Sequence, residues 1–205
     1  MDEYQKLVAL LHPHDINVSR ETLEKIFLYK DTLLQWNKKI NLISSSTEDE
    51  IMHRHFLDSL QLVKYIKNRD DNILDFGSGA GFPALVLGAY GYNNITLIDS
   101  DSRKCAFLRH ISGLLQIKAT ILNSRIDKIP SQKVDIITAR GCAPLQQLLL
   151  FADKFMKKNS KCLFLKGKNW QNEIKVIKNK SEYDILAYQS ITASTSVVLD
   201  IKKRC

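Results

Sequence analysis

The chain has 205 residues, a formal net charge of +8, a pI near 9.3 and 44% hydrophobic residues, which suits one α/β domain carrying a small extension. No apolar run reaches the roughly 18 residues of a membrane span, no signal-peptide core opens the chain, and the cysteines form no C-x-x-C pair, which argues against zinc and against a disulfide framework. A cytoplasmic protein without membrane or metal is expected, and its surplus positive charge favours a polyanion such as nucleic acid, although a lysine-biased composition would give the same surplus.

Residues 1–70 read as a helical extension packed on an α/β domain of residues 71–205. Ser19 is a candidate N-cap, followed at helical spacing by Leu23, Ile26, Phe27, Leu33 and Leu34. Thr47 and Glu50 have capping-box spacing, and Met52, Phe56, Leu60, Val63 and Ile66 follow on one face. Within that second helix Arg54 and Asp58 are four apart, the spacing of a surface ion pair. His53 and His55 are two apart and cannot share a helix face, which excludes a zinc pair of the i, i+4 kind.

From Ile73 onward strand and helix alternate. Strands are expected at 73–76, 95–99, 119–122, 135–139 and 161–165, implying a parallel sheet with right-handed crossovers. Extended runs at 183–190 and 196–201, with a turn at 192–195, predict an antiparallel hairpin at the sheet edge. The first strand runs into Asp75-Phe76-Gly77-Ser78-Gly79-Ala80-Gly81-Phe82-Pro83, a ligand loop opening a helix with proline at its first position. A dinucleotide fingerprint needs Gly-x-Gly-x-x-Gly, but Phe82 occupies the sixth position here. Asp75 would repel a pyrophosphate and suits a cationic ligand such as S-adenosylmethionine.

Open α/β sheets bind ligands at the carboxyl ends of their strands. Asp99, after the second strand, can accept ribose hydroxyls or cap the next helix, and Ile126-Asp127, after the third, can hold an adenine. Arg125 and Asp127 could equally form an ordinary loop ion pair. Arg140 after the fourth strand could hold a phosphate or stack on a base, with Gly141 allowing close approach. Replacing Arg140 by alanine is expected to cost turnover with little stability. Between Lys154 and Lys180 nine lysines face one acid, so Lys166 and Lys168 are expected to contact a polyanion, though a solvated helix face would look the same. No acid–base pair for covalent catalysis stands out.

Six blocks in order, Asn41-Leu42-Ile43-Ser44, Arg54-His55-Phe56-Leu57-Asp58-Ser59, Leu74 to Pro83, Asp99-Ser100-x-x-Arg103-Lys104, Thr138-Ala139-Arg140 and Leu165-Lys166-Gly167, closely resemble the RsmG family (glucose-inhibited division protein B) over roughly residues 20 to 170. The resemblance implies a class I S-adenosylmethionine-dependent methyltransferase fold, a Rossmann-like mostly parallel sheet with an antiparallel C-terminal hairpin. It implies methylation of N7 of a guanine in 16S ribosomal RNA, on naked RNA or the small ribosomal subunit; a monomer is expected. It implies cofactor contacts at Gly77, Phe82, Ile126, Asp127 and Arg140, to which the residues themselves add Asp75, Gly79, Gly81 and Asp99. RNA contacts are expected at Arg54, His55, Arg140, Lys166 and Lys168, with Arg140 as the positioning candidate and no general base. Where this chain has Ile126-Asp127 the family often has Ala-Glu, and where it has Gly141-Cys142, Ala-Val. An NAD-dependent oxidoreductase and a non-catalytic RNA-binding module that senses S-adenosylmethionine are the competing readings.

Overall fold

The computed structural model describes residues 3–204. Seven strands form one sheet in the order β3-β2-β1-β4-β5-β7-β6. They are β1 (Asn72–Phe76), β2 (Asn94–Asp99), β3 (Ala119–Asn123), β4 (Val134–Arg140), β5 (Met156–Lys166), β6 (Tyr183–Gln189) and β7 (Val197–Lys203). The first five pair in parallel, and β7 enters antiparallel between β5 and β6. Strand continuity is set by apolar residues buried on both faces, as a parallel sheet covered by helices requires. The alternation and the closing hairpin follow the sequence expectation, with β5 beginning five residues earlier than position 161.

Helices α1 (Glu3–Leu11) and α2 (Arg20–Asn37) precede the sheet. Ser19 caps α2, its hydroxyl accepting from the Thr22 amide at 3.1 Å. The next helical stretch is irregular: Met52–Leu57 winds as a π-helix, α3 (Asp58–Leu60) is a single α turn, and Gln61–Lys64 closes as a 3-10 helix. The capping box expected there does not form: Thr47 ends a 3-10 turn (Ser45–Thr47), its hydroxyl donates to the Ser44 carbonyl at 2.7 Å, and its oxygen faces His55 Nε2. The remaining helices are α4 (Ala84–Tyr90), α5 (Ser102–Leu114), α6 (Leu145–Ala152) and α7 (Trp170–Lys175).

Three layers result. One apolar cluster joins the extension to α4, α5 and one sheet face, through Ile26, Tyr29, Phe56, Phe82, Leu85 and Phe107. The other face is covered by α6 with Phe155 and Ile177. The extension therefore has no core apart from the sheet's own, and it lies beside the strand ends where the site is built.

Candidate active site

The loop after β1 turns left-handed at Gly77, Gly79 and Gly81, with φ of 60°, 55° and 92°. Each glycine answers a different demand. A Cβ at Gly77 would overlap Cys142 Cβ, and one at Gly81 would overlap the Tyr29 hydroxyl and approach Leu85 Cδ1 at 2.8 Å. At Gly79 the nearest atom to such a Cβ is the Gly77 carbonyl, 3.9 Å away. Gly79 is thus bare toward the cleft, where a ligand can approach backbone. Behind the loop, Tyr29 donates its hydroxyl proton to the Ala80 carbonyl, and the Ser78 amide donates to Ile98 at 3.0 Å. Pro83 follows a cis peptide and occupies the N-cap of α4, one residue before the first helical position.

Asp99 braces this loop. Its Oδ2 accepts from the Gly79 amide at 2.8 Å and its Oδ1 from the Asp101 amide at 2.9 Å. A carboxylate has about four acceptor sites, so Asp99 keeps lone pairs for a ligand. It does not cap α5; Asp101 does, accepting from the amides of Arg103 and Lys104.

A cleft of about 530 Å³ opens along these strand ends, lined by Gly77, Gly79, Asp99, Ile126, Asp127 and Arg140 among others. Asp127 also forms the loop pair with Arg125, at 3.1 Å. Asp75 lies behind the cleft and is wholly buried. Thr138, opposite it in register on β4, donates to its Oδ1 at 2.6 Å, while Oδ2 has no partner among the described residues. Burial raises the Asp75 pKa to about 7. The electrostatic preference for a cationic ligand therefore rests on Asp99, because desolvation suppresses the charge of Asp75. A bare glycine edge, an acceptor at the second strand end and an apolar-plus-acid pair at the third fit the backbone, ribose and base of S-adenosylmethionine.

Arg140 forms the far wall, turned inward. One guanidinium nitrogen donates to the Arg54 carbonyl at 3.0 Å and lies 3.6 Å from Asp58 Oδ2. The other donates to His55 Nδ1 at 2.6 Å. Arginine only donates, so His55 Nδ1 accepts and Nε2 carries the proton, which faces Thr47 Oγ1 at 2.9 Å. Burial, with Arg140 and Arg54 nearby, lowers the His55 pKa to about 3, so the ring is neutral. The guanidinium rests 4.8 Å over the Phe82 ring, which stacks on Tyr29. Burial pushes the Asp58 carboxyl up and Arg140 pulls it back. Asp58 also accepts from Gln61 Nε2 at 2.8 Å and Thr192 Oγ1 at 3.0 Å, tying the irregular helix to the turn between β6 and β7.

The residues expected to meet RNA divide accordingly. His55 and Lys166 are buried, and Arg140 is half-buried with its guanidinium turned inward; Lys166 Nζ contacts Glu173 at 2.7 Å and the Ala143 carbonyl at 3.1 Å. Arg54 and Lys168 are exposed. Arg54 pairs with Glu50 at 3.5 Å, because Asp58, its expected partner, faces Arg140. The lysine run is not one patch. Lys157 pairs with Asp135 and Lys161 with Asp200, and β5 carries them away from the rim that Lys166 and Lys168 occupy. A second cavity of about 400 Å³ lies across Arg140 and Gly141 from the cleft, and both residues line both spaces. Tyr29 and Thr192 gave no sequence signal, since their partners lie 51 and 134 positions away, and Gln61, three residues from Asp58, is drawn into the site by Ser190, 129 positions away.

Among the described residues, no group of three His, Cys, Asp or Glu side chains is placed to hold a metal ion, and no helix is long and apolar enough to cross a membrane. A family model described as GidB, rRNA small subunit methyltransferase G, matches residues 22–200. The chain is 44% identical over 186 residues to "Ribosomal RNA small subunit methyltransferase G" of Orientia tsutsugamushi (strain Ikeda), covering 91% of this chain and 93% of that one. It is 40% identical over 188 residues to the protein of that name from Paramagnetospirillum magneticum, covering 91% of each. Among solved structures, the ribosomal protein L11 methylase of Lactobacillus delbrueckii superposes with a TM-score of 0.62 at 16% identity, covering 72% of this chain and 77% of that one. The plantazolicin methyltransferase BpumL, solved in complex with SAH, gives 0.59 at 15% identity over 90% and 99%.

Proposed function

Since the chain belongs to the GidB family of ribosomal RNA small subunit methyltransferases, we propose that it transfers the methyl group of S-adenosylmethionine to N7 of a guanine in 16S ribosomal RNA. The observation that carries this reading is a second cavity of about 400 Å³ beside the donor cleft, with Arg140 and Gly141 lining both spaces. When bound, S-adenosylmethionine supplies an electrophilic methyl on sulfonium. The chain's part is to hold and aim. Gly79 offers backbone, Asp99 accepts from the ribose, Ile126 and Asp127 hold the base of the donor, and Arg140 with Gly141 frames the passage between the two spaces.

Guanine N7 has a lone pair without a proton, so no general base is needed. The site agrees: His55 has its acceptor nitrogen filled by Arg140, and Asp58 is occupied by Gln61 and Thr192. Positioning of well-oriented reactants can remove roughly 7–11 kcal/mol of barrier. Asp58 beside Arg140 offsets a cation that would otherwise oppose the positive charge developing on the base. Arg54 and Lys168 contact the RNA backbone as exposed cations on this rim. The protein acts as a cytoplasmic monomer on RNA or the assembled small subunit.

Incubation with tritiated donor and small subunits from cells lacking the protein, followed by mapping of the label, tests this. One labelled guanine N7 in 16S ribosomal RNA is expected. Saturable donor binding without transfer would make the protein a sensing module, and tight NADH binding with no affinity for S-adenosylhomocysteine would make it an oxidoreductase.

A further inference from the structure

The second cavity has three walls. The helical extension contributes Glu50, His53 and Arg54; the strand ends contribute Arg140 and Gly167; the turn between β6 and β7 contributes Thr192. Two of its edges are bare backbone, since a Cβ built at Gly141 or at Gly167 meets nothing within 4 Å. A flat ring can therefore lie against main chain at the passage, with the His53 imidazole and Arg54 guanidinium available as planar faces.

Two carboxylates line this space, and they are not equivalent. Asp58 is nearly buried, and its oxygens are already engaged by Gln61, Thr192 and Arg140. The Glu50 side chain is 63% exposed, and its only side-chain ion pair among the described residues is with Arg54, at 3.5 Å. An exposed pair of that length is worth little and is readily given up. Of the two carboxylates, Glu50 is thus the one that can give up its partner and take a pair of donors.

Building on the function proposed above, we propose that Glu50 reads the Watson–Crick edge of the target guanine. N7 lies on the adjoining Hoogsteen edge, with O6 between it and N1–H. A base seated in the cavity with its N7 at the Arg140–Gly141 edge that the two spaces share lays its N1–H and N2–H2 donors along the side wall, where Glu50 can meet them. A carboxylate takes those two donors side by side. Adenine presents an acceptor at N1 instead, which the carboxylate repels, so Glu50 selects guanine. The same contact also favours the reaction: alkylation at N7 makes the ring cationic and N1–H a stronger donor, so the bond to Glu50 strengthens as the methyl arrives.

The test is a cycle between protein and base. Small subunits are reconstituted with RNA carrying guanosine or inosine, which lacks the N2 amine, at the mapped position. Methyl transfer is measured for the wild type, Glu50→Ala and Glu50→Gln, and S-adenosylhomocysteine affinity is measured alongside. The expected loss in kcat/KM on guanosine is roughly tenfold or more for either variant, with donor affinity unchanged. Inosine should cost the wild type about tenfold and Glu50→Ala less than about twofold. An inosine penalty equal in the wild type and Glu50→Ala, or a Glu50→Ala rate equal to wild type on guanosine, overturns the assignment. Absence of N7 label in the wild-type guanosine arm instead removes the reading on which it rests, and the assignment with it.

Discussion

The two sides of Arg140 are made in different ways. The donor cleft is built largely from main chain: three left-handed glycines, a strand-end carboxylate holding loop amides, and a loop beyond β3. The acceptor side is built from side chains, with His55, Asp58, Gln61, Arg140 and Thr192 meeting across as many as 134 positions. Main-chain recognition depends on the fold and tolerates many side chains. The side-chain network depends on every member, because a buried charge left alone is costly.

Breaking the network should have the largest effect. Arg140 has a side chain only 20% exposed and joins His55, Asp58 and Phe82, so Arg140→Ala should lower unfolding stability by about 3–5 kcal/mol as well as abolishing transfer, measured by urea titration. This revises the sequence-based expectation of a mainly catalytic effect. A variant with wild-type stability would show that the inward partners carry no weight.

On the cleft side, two glycines separate folding from binding. Gly81→Ala drives a methyl into Tyr29 and Leu85 at positive φ and should cost about 2–3 kcal/mol of stability. Gly79→Val meets no such obstacle, and its strain in the left-handed region is about 1–2 kcal/mol. Its main effect should be on S-adenosylhomocysteine affinity, weakened at least roughly tenfold by calorimetry. Unchanged affinity would mean the ligand does not pass over Gly79.

The two regions also titrate in opposite senses. His55 is neutral in the fold with a pKa of about 3, against an ordinary value near 6.5, so the unfolded chain binds the extra proton and stability falls as pH drops between them. Asp75 is raised to about 7 from 3.8, so the folded state holds the extra proton and stability falls as pH rises through that window. Urea midpoints between pH 4 and pH 8 should respond accordingly: His55→Gln removes loss on the acid side and Asp75→Asn removes loss on the neutral side. Parallel pH profiles for both variants would break the distinction.

The smallest effect concerns the lysines. Lys168→Ala should leave stability and donor affinity alone and reduce the salt slope of RNA binding by about one. Lys166→Ala, by stranding Glu173, should instead cost about 2 kcal/mol of stability.

The cleft was legible in sequence because its determinants are local: the glycine spacing, Asp99 and the strand rhythm lie within short windows. Asp75 was visible but its burial was not, since desolvation depends on β4 and the extension closing over it. Arg140, His55 and Asp58 could be listed from the residues, yet an i, i+4 rule paired Arg54 with Asp58, while the fold supplied a closer competitor from β4. Lysine density likewise says nothing about direction, because β5 carries successive lysines to opposite ends of the sheet.

The place of β7 has a genetic consequence. Six of its residues pair with β5 on one side and all seven with β6 on the other, and among the described residues β6 pairs with no other strand. A stop codon or frameshift upstream of Val197 therefore removes two strands from the sheet while deleting one from the message. It exposes the edge of β5, a template for aggregation, and frees the turn that Thr192 fastens to Asp58. Such late truncation alleles will behave as complete losses of function, indistinguishable in phenotype from deletion of the whole reading frame.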